Sequence, residues 1–470
     1  MANRLLFSSI ALVCVVAIGC SGLNSIWGRE IKPDYCGDHP GDPDCPPLPP
    51  PDAAIDAAID APDYTCKSNA TCTAPTGVCD LAGSRMCVQC VAPDQTSACL
   101  GTTPVCGTTH ECERCTKHTD CPLSNLCLLD GACAAPADVA YVQQGGAGNL
   151  CTLAAPCGTL DAGIKTNRPL VKIGVGIVAD NKTTTIDGKV VAIFADLGAK
   201  LDMVGNGVIL EVKSNGADVS IYDLEITGAT GTNTDAAISL PNGGAPKLAL
   251  TRVSVDGNQG IGISSNGGTL TVTESQISGN QGGGISLVGG SLALSRSDVA
   301  LNFGGGISAT GVGVSFDITN NFIYRNGDPD GGTFGGLTLG IAGAGSNRLE
   351  FNTIVDNRSA INSAGVVCNA TAFAAPNNII ARNVLGASST APGAQVTPSG
   401  CTFPTSKIQS DVLGLGFVDP EAPAPFDYRI TSTSTVINQA LTASTIVIDR
   451  DGDVRPIGVQ KDIGADEFKP

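Results

Sequence analysis

Charged side chains recur at one position of a repeat in the middle of the sequence. Arg252, Glu274 and Arg296 are spaced 22 residues apart, and Asp298 follows two residues after the last of them. A carboxylic acid beside an arginine could protonate a glycosidic oxygen while the arginine holds an acidic sugar. The same column could instead be a ladder of alternating charge between adjacent strands. We favour the ladder and retain Glu274, Arg296 and Asp298 as candidate catalytic residues.

Other carboxylates lie further along the repeat, at Asp317, Glu350 and Asp356. Any of them could supply the second carboxylate of a glycosidase if folding brought two into range. Their separation in space does not follow from the sequence.

Histidine and tryptophan are scarce where catalysis would need them. His39, His110 and His118 all precede the repeat, so we expect no histidine acid, base or triad on the repeat itself. The Gly-His-Gly motif of polygalacturonases and the Trp-Ile-Asp-His and Arg-x-Pro-x-x-Arg motifs of pectate lyases are absent. Trp27, the single tryptophan, lies far upstream, so the usual platform for stacking sugars is missing. The sequence therefore favours a protein that is not an enzyme, and it indicates no required cofactor.

Calcium is the one cofactor that the sequence leaves open. Asp449, Asp451 and Asp453 alternate around a glycine, as in calcium-binding loops. The glycine stands at the fourth position, however, and no glutamate stands at the twelfth. An Asp-Gly turn packed against Arg455 and Asp462 is the interpretation that we favour.

The repeat is the strongest structural signal. Residues 248–258, 270–280 and 292–302 align with steps of 22 residues, and the pattern continues to about residue 383. This period fits one coil of three short strands, with coils about 4.8 Å apart, inward aliphatic columns and Gly-rich corners at 282–284 and 304–306. A leucine-rich repeat has a similar period, but the scarcity of Leu argues against it. We predict an all-β fold, a parallel β-helix.

An asparagine recurs at the end of each unit of the repeat. These residues could form a row of ligands, or an amide ladder in which each side chain bonds the next coil. We favour the ladder. Its predicted members are Asn258, Asn280, Asn302, Asn326, Asn357 and Asn383.

The cysteines indicate disulfides and an oxidising compartment. Of the 20 cysteines, Cys14 lies in an apparent export signal and Cys20 is a candidate lipid carrier, which leaves 18 in even groups. Within 66–135 they form three units of four; the two Cys-x-x-Cys spacings are not followed by a second zinc-ligand pair, so disulfides are favoured over zinc. The pairing within each unit stays open. The predicted disulfide cysteines are Cys36, Cys45, Cys66, Cys72, Cys79, Cys87, Cys90, Cys99, Cys106, Cys112, Cys115, Cys121, Cys127, Cys133, Cys151, Cys157, Cys368 and Cys401.

The N-terminus has the pattern of an exported, anchored chain. Residues 1–19 read as a signal peptide, and Val16 to Cys20 resembles a bacterial lipobox, which implies lipidation of Cys20. Ordinary signal cleavage with Cys20 left free is the alternative. Residues 20–65, with a polyproline run and an Asp-Ala repeat, predict a disordered tether. Ser21 after the cysteine resembles the sorting pattern for the outer membrane.

Both ends of the repeat carry further resemblances. Tyr141 to Ile164 resembles the opening of many bacterial β-helix proteins, where a strand and a short helix cap the first coil. Residues 416–467 resemble the C-terminal signature of choice-of-anchor Q domain proteins. Together with the repeat and the N-terminal cap, this resemblance covers about residues 138–470 and implies a right-handed parallel β-helix. We predict that the β-helix domain comprises residues 136–470. That family has no common catalytic activity to carry over.

Two classes of function remain. The net charge of −17 argues against nucleic acid as a partner. The first hypothesis is a surface lipoprotein, held to the membrane by its N-terminal lipid, whose β-helix binds polysaccharide, matrix or a cell-surface ligand. The alternative is a polysaccharide lyase or glycoside hydrolase, which rests on fold analogy.

Overall fold

The computed structural model describes residues 65–91, 98–231, 235–311, 313–340, 347–369, 373–397, 400–421, 423–441 and 443–470. The predicted signal peptide, the lipidation of Cys20 and the pairing of Cys36 with Cys45 lie outside the described residues. So does the predicted tether, except for residue 65.

The repeat folds as a parallel β-helix, as predicted. Each complete coil contributes strands to three faces, and each strand pairs in parallel with its counterparts in the coils before and after it. The first face holds Thr184–Asp187, Leu210–Lys213, Ala236–Leu240, the start of Ile261–Thr273, the start of Gly283–Ser295, Ile307–Ala309, Leu337–Leu339 and Val366–Cys368. The second face holds Val139–Val142, Leu170–Ile173, Val190–Ala195, Asp218–Tyr222, Lys247–Thr251, the ends of Ile261–Thr273 and Gly283–Ser295, Ser315–Thr319 and Arg348–Glu350.

The third face is one continuous sheet. Its strands are Gly176–Asp180, Ala199–Met203, Glu225–Thr227, Ser254–Asp256, Gln276–Ser278, Asp298–Ala300, Phe322–Tyr324, Thr353–Val355, Ile379–Ala381 and Lys407–Gln409. Short paired strands outside the three faces are Val78–Cys79 with Cys87–Val88, Val105–Cys106 with Cys112–Glu113, Arg358–Ser359 with Val384–Leu385, Phe373–Ala374 with Cys401–Thr402, and Phe417–Asp419 with Asp427–Ile430.

Pairing of equivalent residues confirms the 22-residue register. Leu248 pairs with Leu270, and Leu270 with Leu292. These leucines point inward and are buried, so the core is a column of aliphatic side chains that runs along the solenoid. The next partner of Leu292 is Phe316, 24 residues on, because the first corner of that coil is longer.

Helices are few among the described residues. The α-helices are Leu160–Lys165 and Pro392–Gln395, and the 3₁₀ turns are Asn69–Thr71, His118–Asp120 and Pro136–Asp138. Thr159 caps the first α-helix by accepting a hydrogen bond from the Ala162 amide, and this helix packs against Val139–Val142. The predicted N-terminal cap is therefore present. No helix in the described ranges has the length and apolar character needed to cross a membrane.

The predicted asparagine ladder is confirmed and is fully buried. The Nδ2 of Asn280 donates to Oδ1 of Asn302 at 2.9 Å, and Asn302 donates to Asn326 at 2.9 Å. The Oδ1 atoms of Asn302 and Asn326 also accept hydrogen bonds from the backbone amides of the preceding asparagines, Asn280 and Asn302. The glycine corners make room for this row, since a Cβ on Gly284 would lie 2.5 Å from the Gly306 carbonyl and 2.9 Å from Asn302. Gln395 ends the ladder beyond Asn383.

A second buried ladder, which the sequence did not reveal, follows the corner between the second and third faces. The side-chain oxygen of each member accepts a hydrogen bond from the backbone amide of the member in the preceding coil. The Ser275 amide donates to Oγ of Ser297 at 3.1 Å, and the Ser297 amide donates to Oδ1 of Asn321 at 2.9 Å. Asn321 then donates to Asn352 at 2.9 Å, and Asn352 to Asn378 at 3.1 Å.

The C-terminal segment, residues 411–470, covers part of the outer face of the third sheet. Outward side chains on that face are polar in the early coils, such as Lys200 and Glu225, and become apolar from Phe322 and Tyr324 onward. The apolar ones are buried under the segment, where they pack with Tyr428 and its neighbours. The segment is thus a cap on one face of the solenoid.

The disulfide-rich module consists of three units with one pairing pattern. In each unit the first cysteine pairs with the third and the second with the fourth, so none of these twelve is available for zinc. The pairs are Cys66–Cys79 and Cys72–Cys87, Cys90–Cys106 and Cys99–Cys112, Cys115–Cys127 and Cys121–Cys133, with Cys151–Cys157 and Cys368–Cys401 in the solenoid.

The described residues of the first cysteine unit, 65–73 and 79–87, belong to one compact unit of the chain. The second and third units belong to the same body as the solenoid. In that body Leu126 of the third unit is fully buried against Val139 and Tyr141, and the Tyr141 hydroxyl donates to the Ser124 carbonyl at 2.6 Å.

Replacing Asn302 with alanine tests the ladder. The substitution removes the acceptor of two buried donors on Asn280, which we expect to lower the free energy of unfolding by about 3 kcal/mol. Guanidinium unfolding followed by far-ultraviolet circular dichroism measures the change. Asn266→Ala, at an exposed corner, is the matched control and should change stability by less than about 0.5 kcal/mol. Equal effects of the two substitutions would contradict a stabilising ladder.

Candidate functional site

The predicted column of charges lies at a corner of the solenoid. Asp223, Arg252, Glu274 and Arg296 each occupy the first position of the turn between the second and third faces, with φ between 50° and 62°. This is the left-handed region that non-glycine residues seldom adopt. We call these four residues the corner row.

Each charge of the corner row is paired with a charge in a neighbouring coil. Arg252 holds both oxygens of Asp223, at 2.6 Å and 2.9 Å. Glu274 lies between the two arginines, in contact with Arg296 and 3.9 Å from an Nη of Arg252. Such exposed pairs contribute up to about 1 kcal/mol each. The geometry is that of the charge ladder, because Glu274 faces arginines on both sides.

Asp298 lies apart from the corner row, on the outer face of the third sheet. Arg450 of the C-terminal segment pairs with it at 2.9 Å. Burial raises the pKa of Asp298, and the charge of Arg450 opposes that rise. Among the described residues, Asp298 has no hydrogen bond or ion pair with Glu274 or Arg296. Glu274 and Arg296 therefore pair with each other, whereas Asp298 pairs with the C-terminal segment.

The remaining candidate carboxylates are also held by protein groups. Arg348 donates to both oxygens of Asp317, at 2.7 Å and 2.5 Å. Glu350 accepts from Asn377 at 3.0 Å. Asp356 accepts from Arg382 and from the Tyr428 hydroxyl at 2.6 Å, beneath the C-terminal segment.

The predicted calcium residues form the Asp-Gly turn that we favoured. Asp449 is fully buried, and its Oδ1 accepts the backbone amides of Asp451 at 2.9 Å and Asp453 at 2.8 Å. Its Oδ2 accepts the amide of Glu467 at 3.0 Å. Asp451 pairs with Arg450, and Asp453 pairs with Lys469 at 2.9 Å. The three carboxylates are thus directed to different partners.

Arg455 lies close to this turn, and the charge of Asp449 acts on its guanidinium. It donates to the backbone carbonyl of Asp462 at 3.0 Å, and its carboxylate partner is Glu467 at 3.3 Å. Its guanidinium also lies over the ring of Phe351 at 4.5 Å. Within the described ranges, the groups close enough to share a metal ion are three cysteine triplets, and all of those cysteines are in disulfides.

One histidine from outside the repeat packs against it, which the sequence did not predict. His118 of the third cysteine unit lies against the solenoid, edge-to-face with Phe194 at 6.3 Å between ring centroids. Its Nδ1 accepts a hydrogen bond from the Cys127 amide at 3.1 Å, and Ala195 of the solenoid lines the same cleft as the ring. Burial, and then the charge of Lys172, lower the pKa of His118. His118 therefore contacts both the third unit, through Cys127, and the solenoid, through Phe194.

A cleft of about 500 Å³ opens beside His118. We call it the module cleft. Its lining consists of residues 115–119 and 127–129 from the third unit, and of residues 194–197, Asp223 and Arg252 from the solenoid. The corner row therefore begins inside this cleft.

Asp196 lines the module cleft from the corner of the coil before Asp223. The buried Nζ of Lys172, behind it, binds its Oδ1 at 2.5 Å. Burial lowers the pKa of Lys172, and the carboxylate of Asp196 opposes that effect. The side chain of Asp196 remains 27% exposed, so it is both anchored and accessible from the cleft.

Comparison with known proteins identifies the architecture. Residues 259–413 match the family model described as a right-handed β-helix region. The solenoid is a right-handed parallel β-helix. A crystal structure of pectate lyase Pel9A aligns with a TM-score of 0.41 and 14% identity, over 70% of this chain and 96% of that chain. No curated protein matches the chain.

The ionisation of His118 leads to a prediction about stability. Because folding holds the pKa of His118 below its ordinary value of 6.5, the unfolded chain binds the proton more readily. Protonation of the unfolded chain should therefore lower the melting temperature of the wild type, relative to that of His118→Asn, which cannot be protonated, as the pH drops below 6.5. Differential scanning fluorimetry from pH 5 to 8 compares the two proteins.

His110→Asn, in the second cysteine unit, is the control and should keep the wild-type profile. If wild type and His118→Asn have the same pH profile, His118 does not link protonation to folding.

Proposed function

We propose that this chain is an exported lipoprotein of the choice-of-anchor Q type, whose β-helix binds polysaccharide, matrix or cell-surface ligands without turning them over. The observation that carries the proposal is the pairing within the corner row. A general acid must exchange a proton with the substrate, whereas Glu274 is held between two arginines. The carboxylate of Asp298 is likewise occupied by Arg450.

The anchoring part of the proposal is supported by the sequence. Val16 to Cys20 has the lipobox pattern, and two or more acyl chains on Cys20 would give a stable anchor. Disulfides throughout the described chain are consistent with an oxidising compartment. The resemblance of Ser21 to outer-membrane sorting favours the outer membrane as the destination.

A specific observation favours the alternative of a carbohydrate-active enzyme. Burial raises the pKa of Asp298, and a raised pKa is what a general acid requires. The side chain is, however, only 20% exposed and is paired with Arg450 of the C-terminal segment, so a substrate would have to compete with that arginine.

An assay of binding and turnover separates the two functions. The purified chain is applied to a glycan array and incubated with neutral and acidic polysaccharides, and unsaturated and reducing-end products are measured. We expect binding to at least one glycan and no product. Turnover that is abolished by Glu274→Gln or Asp298→Asn, but kept in the control Glu211→Gln on the first face, would contradict the binding role.

Expression of the full chain in a bacterium that processes lipoproteins tests the anchor. Cys20→Ser should move the chain out of the membrane fraction and remove incorporation of radiolabelled palmitate. Cys14→Ser, within the signal segment, should leave both unchanged. A Cys20→Ser protein that stays membrane-bound and labelled would contradict lipidation at this cysteine.

A further inference from the structure

The module cleft has features of a ligand site that the corner row alone lacks. Its volume of about 500 Å³ is within the range of pockets that hold small ligands. The corner row is a line of paired charges along an exposed edge. The cleft instead places two solenoid carboxylates opposite a wall from the third cysteine unit.

The walls of this cleft are held in place by the protein itself. Disulfides Cys115–Cys127 and Cys121–Cys133 close the third unit, and the buried Leu126 anchors it to the solenoid. His118 contacts both walls, through its hydrogen bond with Cys127 on one side and its ring contact with Phe194 on the other. A cleft fixed in this way is pre-organised, so binding would not have to order it.

The charges in the cleft are balanced. Asp196 is paired with Lys172, and Asp223 is paired with Arg252. At the rim, Lys117 lies 3.8 Å from Asp120 of its own 3₁₀ turn. Because each of these carboxylates is paired with a cation, the cleft has no excess of either charge that would favour a strongly anionic or strongly cationic ligand.

The same pairs leave hydrogen-bonding capacity for hydroxyl groups. An ionised carboxylate offers about four acceptor positions, and Lys172 uses one oxygen of Asp196. The Nε and Nη2 of Arg252 are committed to Asp223, while its Nη1 lies 3.9 Å from Glu274. Fixed acceptors beside a guanidinium donor are suited to sugar hydroxyls, each of which both donates and accepts.

Apolar surface at the rim complements these polar groups. Leu197 is 95% exposed and Leu129 is 67% exposed, and both line the cleft. Pyranose rings present C–H faces that pack on such surfaces, while their hydroxyl edges point to polar groups.

We propose that the module cleft binds a neutral saccharide, with Asp196, Asp223 and Arg252 holding its hydroxyl groups and Leu197 and Leu129 packing against its ring faces. The inference rests on the proposed binding function and gives it a site and a ligand class. It also assigns a role to the third cysteine unit, which forms one wall of the site.

Calorimetric titration of the purified chain with cellohexaose, mannohexaose and a hexagalacturonate tests the ligand class. A neutral hexasaccharide should bind, and the acidic one should not. Asp196→Asn and Asp223→Asn should each weaken binding by about tenfold or more, the effect of losing a hydrogen bond to a charged group. Asp218→Asn, an exposed carboxylate on the second face outside the cleft, should bind as the wild type does.

Because Asp196 neutralises the buried Lys172, its substitution could impair folding, so a second variant locates the ligand independently. Leu197→Trp places a fluorophore at the exposed rim, and its emission should change saturably with the neutral hexasaccharide. Val459→Trp, 93% exposed on the C-terminal segment, should show no change.

The outcomes distinguish this inference from the proposed function. If a glycan binds but leaves the Leu197→Trp emission and the affinity of both Asp variants unchanged, the cleft is not the site, although the binding function stands. Binding of hexagalacturonate alone would overturn the neutral ligand class. If the chain binds no glycan on the array or in titration, glycan binding by the β-helix and its assignment to the cleft both fail.

Discussion

The buried asparagine ladder is the interaction on which the solenoid depends. An asparagine side chain without hydrogen-bond partners is costly in an apolar interior, and here each Nδ2 is satisfied by the asparagine of the next coil. A slip of one residue between two coils would leave these amides without partners and turn the inward aliphatic residues outward. The ladder therefore fixes the register in which every other column of the structure is built.

The column of charged residues that resembles an active site is a consequence of that register. Stacked coils place the first turn residue of each corner directly above its counterpart, so Asp223, Arg252, Glu274 and Arg296 become neighbours without any catalytic requirement. Opposite charges at such positions stabilise the stack, and like charges would destabilise it. The row begins with Asp223 and Arg252, which also line the module cleft beside the third cysteine unit. We propose that the repeat is the support and that the irregular junction with the third cysteine unit is the ligand site.

The sequence predicted the features that depend on local repetition. The 22-residue step, the asparagine column and the N-terminal cap could be recognised because each is encoded within one or two coils. The second ladder was missed because its members change from Ser275 and Ser297 to Asn321, so no single residue type recurs. The contact of His118 with the solenoid was not predicted because it depends on how the third cysteine unit packs. The covering of the third face could have been predicted from the strand Phe322–Tyr324. This strand is apolar throughout, whereas a strand with one exposed face alternates apolar and polar residues.

Native-state hydrogen exchange is the most direct measurement of the ladder. The backbone amides of Asn280, Asn302 and Asn326 each donate to an asparagine side chain in the next coil, at 3.0–3.1 Å. If the ladder fixes the register, these amides should exchange only through global unfolding, as slowly as the amides of the adjacent strands. Exchange as fast as that of the exposed corner residue Leu197 would show that the coils open locally at the ladder and would contradict this account.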